Sequence, residues 1–232
     1  MTLFTGDEKA RAAGLARDLA KLIEGRLPFP ALALDIGSGD FSIATQLEQL
    51  CRVRFVGLEP RPQKWDSGAP PGRVTRGVAH RLPFKNNIFD LVTLISVFEH
   101  LSVESRCTVF AEARRVLKPG GLLVCQIPNM YLPVEIHSRL PMIQFLPRSI
   151  AKRYYWHFAP IDREWKSTVG IDWLRVSVAD LVEVAASTGF RFEERVSNEY
   201  PRDAFPPILR WTCALQRLMP LGFSLSFSAV NR

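Results

Sequence analysis

The sequence predicts an α/β fold in which helices flank a mostly parallel β-sheet. The main observation is the run Ala33-Leu34-Asp35-Ile36-Gly37-Ser38-Gly39-Asp40, an apolar strand segment that breaks into two closely spaced glycines. Glycine permits positive φ and lets the backbone approach a ligand closely, because it has no Cβ. In open α/β sheets, such a turn between a strand and a helix forms a ligand crevice at the carboxyl edge of the sheet.

The second observation is that segments with strand and helix patterns alternate along the chain. The helix predicted after the turn places Ile43, Leu47 and Leu50 on one face. The segment over 90–96 is nearly all apolar, as expected for a strand that is buried on both sides. The predicted elements are a helix over 41–50, a strand over 52–59, a strand over 90–96, a helix over 103–117 that ends at the breaker Lys118-Pro119-Gly120-Gly121, and a strand over 122–127.

The two ends of the chain contribute further elements to what we expect to be a single domain over residues 1–232. A leading amphipathic helix is predicted over 7–27, with Leu15, Leu19, Leu22 and Ile23 on one face. The predicted parts of the domain are an N-terminal helix (1–29), a ligand-binding half (30–128), a lid (129–176) and a C-terminal half (177–232), which holds a helix over 178–188 and strands over 191–196 and 221–230.

Two common nucleotide-binding motifs do not fit the glycine turn. The dinucleotide fingerprint requires a third glycine three residues after the second, and Ser42 occupies that position. A P-loop requires Gly-Lys-Ser/Thr, which does not follow here. Glu59 comes 20 residues after Gly39, at the end of the second strand, where a carboxylate can accept hydrogen bonds from ribose hydroxyls.

The ordered set of segments resembles motifs of the class I S-adenosylmethionine-dependent methyltransferases, in their UbiE/UbiG-like (type 11) branch. The resemblance covers residues 30–130 and is much more specific than any single segment. Its segments are Asp35-Ile36-Gly37-Ser38-Gly39, Gly77-Val78-Ala79-His80-Arg81-Leu82-Pro83-Phe84, Phe89-Asp90-Leu91-Val92, Phe98-Glu99-His100-Leu101 and Leu117-Lys118-Pro119-Gly120-Gly121-Leu122.

The resemblance implies a Rossmann-like, seven-stranded, mostly parallel sheet with an antiparallel edge hairpin. It also implies S-adenosyl-L-methionine as the cofactor. Where the branch usually has an aspartate that contacts the adenine amino group, this chain has Val78, which cannot accept that hydrogen bond. The implied cofactor-binding residues are Asp35, Gly37, Ser38, Gly39, Glu59, Pro60, Val78, Ala79 and Ser96.

Residues 129–176 interrupt the core pattern for too long to be a simple connection, and an insertion of this length is typical of a substrate lid. Between Arg139 and Arg153 the lid carries basic and apolar residues without an acidic one. This character suits peripheral contact with a membrane surface through 139–158, or a pocket for a phosphorylated or lipid-linked acceptor. A small helical cap with its own core is the alternative. The candidate substrate-binding residues are Asn129, Tyr131, Glu135, Tyr155 and Trp156.

Methyl transfer to a hydroxyl requires a group that removes a proton, and histidine is the usual base near neutral pH. His100 and Glu99 follow the strand over 90–96, at the edge where the resemblance places the reacting methyl group. His137 is the other candidate, in a Glu-x-His pattern with Glu135 at the start of the lid. Each residue could instead only hold the local structure.

O-methylation of a hydroxyl on a small molecule, glycan or glycolipid is the favoured function, and the branch also performs C-methylation. Nucleic-acid base methylation is disfavoured because Ser96-Val97-Phe98-Glu99-His100 replaces the Asn/Asp-Pro-Pro-Phe/Tyr loop of such enzymes. An RNA methyltransferase and a non-catalytic protein that retains the fold are the alternatives; the first is suggested by the basic charge and the second by Val78.

Composition and charge limit the kinds of partner, metal site and membrane segment that the sequence allows. The formal net charge of +7 over 232 residues favours anionic partners. The four cysteines form no Cys-x-x-Cys pair and the histidines show no i, i+4 pairing, so neither a disulfide framework nor a metal site is predicted. No segment has the apolar length of a membrane span or a signal peptide. We therefore expect a cytoplasmic, soluble protein.

Overall fold

The computed structural model describes residues 8–61, 72–135, 137–138, 140–159, 172–204 and 214–230. Its centre is a seven-stranded sheet in the order β3-β2-β1-β4-β5-β7-β6. The first five strands pair in parallel, whereas β7 runs antiparallel to both β5 and β6. The mostly parallel sheet with an antiparallel edge pair is therefore confirmed.

Among the described residues, helices lie on both sides of the first strand in the chain and one precedes the fifth strand. Two more lie between the fifth and the sixth strands. None of the helices in the described ranges is long and apolar enough to cross a membrane. The strands are β1 (Ala31–Ile36), β2 (Val53–Glu59), β3 (Val74–Arg76), β4 (Phe89–Ile95), β5 (Leu117–Pro128), β6 (Phe190–Asn198) and β7 (Gly222–Ala229), and the helices are α1 (Glu8–Ile23), α2 (Ser42–Cys51), α3 (Val103–Val116), α4 (Arg148–Phe158) and α5 (Val178–Ser187).

Most element boundaries agree with the sequence prediction within a few residues, and β5 is the main exception. It begins at Leu117, so the predicted breaker at 118–121 ends α3 without delaying the strand. Phe89 pairs with Leu117 and Leu91 with Leu122, so the extra residues form an irregular bulge. Gly120 takes φ of +72° there. Leu50, predicted to share the buried face of α2, is in fact 51% exposed.

The core has one apolar cluster on each side of the sheet. Alternate residues of β1 enter different clusters, Ala31 and Ala33 with α1 and α2, and Leu34 and Ile36 with α3 and α5. This alternation follows from the two-residue period of a strand. Both faces of the parallel strands are covered, so the edge formed by their carboxyl ends is the place where polar groups can gather.

The lid has a small core of its own, as the alternative interpretation of 129–176 proposed. Tyr155 and Ala151 of α4 pack with Ile143, Leu140 and Leu174 in a third cluster. A short hairpin leads into this unit: Glu135 N donates to Leu140 O at 3.1 Å and Met142 N to Pro133 O at 2.8 Å. Residues 136, 139 and 160–171 of the predicted lid lie outside the described residues.

Candidate active site

The glycine turn between β1 and α2 contains two glycines with different roles. Both have positive φ, +75° at Gly37 and +54° at Gly39. A Cβ on Gly37 would lie 2.6 Å from Cγ2 of Val97, whereas a Cβ on Gly39 would meet no atom within 4 Å. Gly37 is therefore required by packing, and Gly39 leaves open space where a ligand can approach the backbone.

Two buried carboxylates stand beside this turn. Glu59, at the end of β2, accepts hydrogen bonds from Gly39 N at 3.2 Å and from Arg61 N and Nε at 3.2 and 3.3 Å. Asp35, near the end of β1, accepts a 2.7 Å hydrogen bond from Thr93 Oγ1. Burial raises the pKa of Asp35 to about 7, against the lowering effect of Thr93, and the charge of Glu59 adds to the rise.

The remaining predicted cofactor-binding residues lie on loops at the same region of the sheet. Val78 is 42% exposed and its segment forms an isolated bridge with Arg81. Ser96 follows β4 with φ of +52°, and its hydroxyl donates to Gln126 Oε1 at 2.7 Å. The Ser38 hydroxyl is buried and has no hydrogen-bond partner among the described residues. Pro60 follows Glu59 and is exposed. Ala79 follows Val78 and is half-buried.

The predicted catalytic residues meet where the lid crosses the end of β4. Glu99 and His100 belong to a short 3-10 helix after this strand. His137 Nε2 lies 3.9 Å from Glu99 Oε1. The rings of His100 and His137 have centroids 5.1 Å apart and are nearly perpendicular. The structure therefore brings together residues from two segments that are far apart in the sequence.

Glu135 orients His137 from the opposite side. Its carboxylate lies 3.0 Å from His137 Nδ1 and accepts hydrogen bonds from the backbone nitrogens of His137 at 3.0 Å and Ser138 at 2.5 Å. Because an ionised carboxylate only accepts, Nδ1 carries the proton in this contact. This tautomer leaves Nε2 as the basic nitrogen on the side of Glu99.

Burial and charge oppose each other in this cluster. Burial by itself would raise the pKa of Glu135, but the hydrogen bonds and charge of its neighbours outweigh burial and hold the pKa below its usual value. For His137, burial would lower the pKa, and the contacts with Glu135 and the charge of Glu99 instead raise it. Burial raises the pKa of Glu99 to about 7, even with His137 beside it.

The same cluster offers donor atoms to a metal ion, a grouping that sequence spacing did not reveal. One ligand atom from each of Glu99, His100 and His137 lies within 4.8 Å of the others. Two donors at about 2.1 Å from a tetrahedral zinc ion are about 3.4 Å apart, shorter than the 3.9 Å between His137 Nε2 and Glu99 Oε1. The donor atoms would have to move closer to one another to bind zinc. The expectation that the protein has no metal site stays a prediction.

The predicted substrate-binding residues occupy four kinds of position. Tyr131 and Trp156 are exposed, and Glu135 belongs to the cluster above. Asn129 holds the local structure, since its side-chain amide donates a hydrogen bond to Pro220 O at 2.8 Å and accepts one from Tyr131 N at 3.0 Å. The assignment of Tyr155 is wrong for this conformation, because its side chain is fully buried in the lid core.

Sequence reasoning missed the residues that hold the carboxylates and Ser96 in place. Thr93 binds Asp35, and Gln126 binds Ser96. Both are polar residues within otherwise apolar buried strands, and that contrast is the signal that could have identified them.

A small cavity lies next to Glu135. It has a volume of about 20 Å³ and is lined by Asn129, Gln144, Leu174 and Val176, among others. A cavity of this size holds about one water molecule. It is therefore not the place for an acceptor molecule.

Comparison with known proteins gives a family match and a set of relatives. Residues 34–125 match the family model described as a methyltransferase domain. An uncharacterized methyltransferase of Mycobacterium leprae is 29% identical over 185 residues, which are 78% of this chain and 66% of that protein. A demethylmenaquinone methyltransferase of Lactiplantibacillus plantarum is 37% identical over 103 residues, which are 40% of this chain and 43% of that protein.

Solved structures confirm the fold over nearly the whole chain. A SAM-dependent methyltransferase from Methanosarcina mazei aligns with a TM-score of 0.58 at 17% identity, over 89% of this chain and 96% of that chain. One from Aquifex aeolicus aligns with a TM-score of 0.60 at 12% identity, over 97% and 95% of the two chains. At these identities, the likeness is one of fold.

Proposed function

We propose that this protein transfers the methyl group of S-adenosylmethionine to a hydroxyl oxygen, starting from the match of residues 34–125 to the methyltransferase domain family. The acceptor would be a small molecule, a glycan or a glycolipid. The observation that carries this proposal is the Glu135–His137 pair beside Glu99, at the carboxyl edge where β4 ends.

The residues at the glycine turn fit the cofactor that the family implies. The open space at Gly39 allows close approach, and the buried Ser38 hydroxyl has no hydrogen-bond partner among the described residues. Glu59 offers carboxylate oxygens beside Gly39, of the kind that accept hydrogen bonds from ribose hydroxyls. These residues, with Asp35, would hold S-adenosylmethionine, which supplies an electrophilic methyl group when bound.

In the proposed mechanism, His137 removes the proton of the acceptor. The hydroxyl proton would move to Nε2 of His137 as the acceptor oxygen takes up the methyl group that bound S-adenosylmethionine would supply from its sulfonium sulfur. The imidazolium that results lies between Glu135, 3.0 Å from Nδ1, and Glu99, 3.9 Å from Nε2. The strength of a general base depends on its pKa, and the contacts with Glu135 and the charge of Glu99 raise the pKa of His137.

Glu99 and His100 complete the surroundings of this base. Among the described residues, neither oxygen of the Glu99 carboxylate has a hydrogen-bond partner, and the side chain is buried. A buried carboxyl group without hydrogen-bond partners is stabilised when a polar group of the methyl acceptor binds against it. We assign Glu99 to contact with the acceptor and His100 to positioning, since the His100 ring packs edge-on against the His137 ring.

C-methylation of a phenol-like ring is the second candidate. It is favoured by the likeness to a protein named demethylmenaquinone methyltransferase. Removing a phenolic proton places negative charge on the ring carbons as well as on the oxygen, so the same base serves either reaction. The position of the new methyl group in the product distinguishes the two.

The test combines cofactor binding with product analysis. Calorimetric titration should show binding of S-adenosylmethionine, and absence of binding would favour the non-catalytic alternative. Cofactor with a ¹³C-labelled methyl group would then be incubated with hydroxylated glycans, phenols and RNA. NMR of the products should show oxygen-bound methyl groups. Methylated RNA without labelled small molecules would instead support the RNA alternative.

Variants at the lid test the base itself. Glu135→Gln should lower kcat and shift the acidic limb of the kcat–pH profile to lower pH, because His137 loses the partner that raises its pKa. The matched control is His157→Ala, which removes an exposed lid histidine whose Nδ1 contacts Arg153 O at 2.8 Å. Loss of activity with a chelator and recovery with a divalent metal would contradict a histidine base.

A further inference from the structure

Helix α4 of the lid turns a cationic and apolar surface away from the protein. Ala151 and Tyr155 face the lid core. With the 3.6-residue period of a helix, the opposite side carries Arg153, with Ile150 and Trp156 each three residues away from it. All three side chains are exposed, and we call this side the outer lid face.

The charge of this segment has one sign. Residues 140–159 contain Arg148, Lys152 and Arg153, all exposed, and no aspartate or glutamate. The acidic residues among the described part of the lid are Glu135, which is buried next to His137, and Asp172, in a short 3-10 helix over Asp172–Arg175. Nothing acidic within 140–159 therefore offsets the positive potential.

Further exposed apolar side chains lie near both ends of α4, outside the outer lid face. Phe158, at its last turn, is 68% exposed, and its ring lies 5.5 Å from the half-buried ring of Tyr154. Met142 and Phe145, in the segment before the helix, are also largely exposed. Leaving so many large apolar groups in water around one helix is unusual for a surface without a partner.

We infer that the outer lid face binds the surface of an anionic lipid bilayer. Lysine and arginine attract acidic headgroups, while aromatic and aliphatic side chains enter the boundary between headgroups and acyl chains. The outer lid face includes the aliphatic Ile150, which cannot stack on bases as a single-stranded RNA site requires. This side chain favours the bilayer over RNA as the partner.

This inference does not rest on the proposed function, although the two are compatible. The outer lid face and His137 belong to the same lid, connected through the hairpin at 133–142. A bilayer docked on α4 would bring membrane-dissolved acceptors close to the base. Binding to vesicles, however, requires neither acceptor nor cofactor and is measured separately.

The experiment is co-sedimentation of the full chain with vesicles. Vesicles of phosphatidylcholine containing phosphatidylglycerol should bind the protein, and pure phosphatidylcholine should bind it much more weakly. Lys152→Glu with Arg153→Glu should reduce the partition coefficient about 30-fold or more, since each cation near an anionic surface contributes about 1 kcal/mol. Ile150→Ser should reduce it about fivefold.

Matched variants elsewhere provide the controls. Arg54→Glu with Lys85→Glu makes the same charge change at exposed positions outside the lid. Leu50→Ser removes an apolar side chain that is 51% exposed, against 53% for Ile150. Equal loss in the lid and control variants would overturn the inference, as would binding that is indifferent to phosphatidylglycerol. Binding to single-stranded RNA without binding to vesicles would overturn it as well.

Discussion

Glu59 and Glu99 are two buried carboxylates at the same edge of one sheet, and their surroundings are opposite. Glu59, on the glycine-turn side, accepts hydrogen bonds from two backbone nitrogens and one guanidinium nitrogen. Glu99, on the lid side, has no hydrogen-bond partner among the described residues, and Nε2 of His137 lies 3.9 Å from its Oε1.

The difference suits Glu59 to cofactor binding and Glu99 to the chemical step. A carboxylate held by fixed donors keeps one geometry, which suits recognition of a cofactor. A carboxyl with a pKa of about 7 changes its charge near neutral pH, and the contacts of His137 with its acidic neighbours raise the pKa of that histidine. Shifted pKa values of this kind cluster at functional sites. We therefore expect substitutions on the two sides to change different measured quantities.

The largest effect is expected on the lid side. His137→Ala should lower kcat by about 10²- to 10⁴-fold, because a positioned general base contributes that much. The dissociation constant of S-adenosylmethionine should stay within about twofold of its original value. Single-turnover kinetics and calorimetry measure the two quantities. If cofactor affinity and kcat fell together, the separation of the two sides would be wrong.

On the glycine-turn side, Glu59→Gln should act on affinity. Hydrogen bonds to charged groups contribute about 1.5–3 kcal/mol, so the dissociation constant of S-adenosylmethionine should rise by about 10- to 100-fold. Calorimetry again provides the measurement. Glu183→Gln, on the exposed side of α5, is the matched control and should leave the affinity unchanged. An unaltered affinity in Glu59→Gln would remove this carboxylate from the cofactor site.

Glu99→Gln should change the pH dependence of stability. The pKa of Glu99 is raised from its usual 4.5 to about 7, so its stabilising contribution is complete below about pH 4.5 and is lost as the pH rises through 7. Replacement by glutamine removes this loss. The variant should therefore gain on the order of 1–3 kcal/mol relative to the original protein between pH 5 and pH 8.

Chemical denaturation at the two pH values measures this gain. Glu104→Gln replaces an exposed glutamate on α3 and should show no such difference. A free energy of unfolding that changes equally with pH in the Glu99 variant and the original protein would show that Glu99 ionises as an ordinary carboxylate.

The smallest effect is expected at Val78. Aspartate usually occupies this position in the resembling branch, and the side chain is 42% exposed, so Val78→Asp should be tolerated. One added hydrogen bond contributes about 0.5–1.5 kcal/mol, which corresponds to about 2- to 10-fold tighter binding of S-adenosylmethionine. Competition with adenosine would locate the gain at the adenine end. Weaker binding would show that Val78 does not face the adenine.

The glycine turn was predictable because its information is local. Asp35, Gly37 and Gly39 are adjacent in the chain, and the requirement for positive φ is written directly as glycine. The position of Glu59 beside Gly39 followed from the rule that parallel strands end at one edge. Local signals also misled, since Pro119, Gly120 and Gly121 indicated a break where the strand continues through a bulge.

The sequence by itself determined the succession of helices and strands and the glycine turn, since periodicity and backbone preference act between near neighbours. The reversed edge of the sheet was implied by the resemblance to a known family. Only the tertiary structure decided which lid residues meet the end of β4. His137 reaches Glu99 because the hairpin at 133–142 packs over that edge, whereas Tyr155, equally plausible by pattern, fills the lid core. Such contacts depend on long-range packing, which a periodic pattern does not specify.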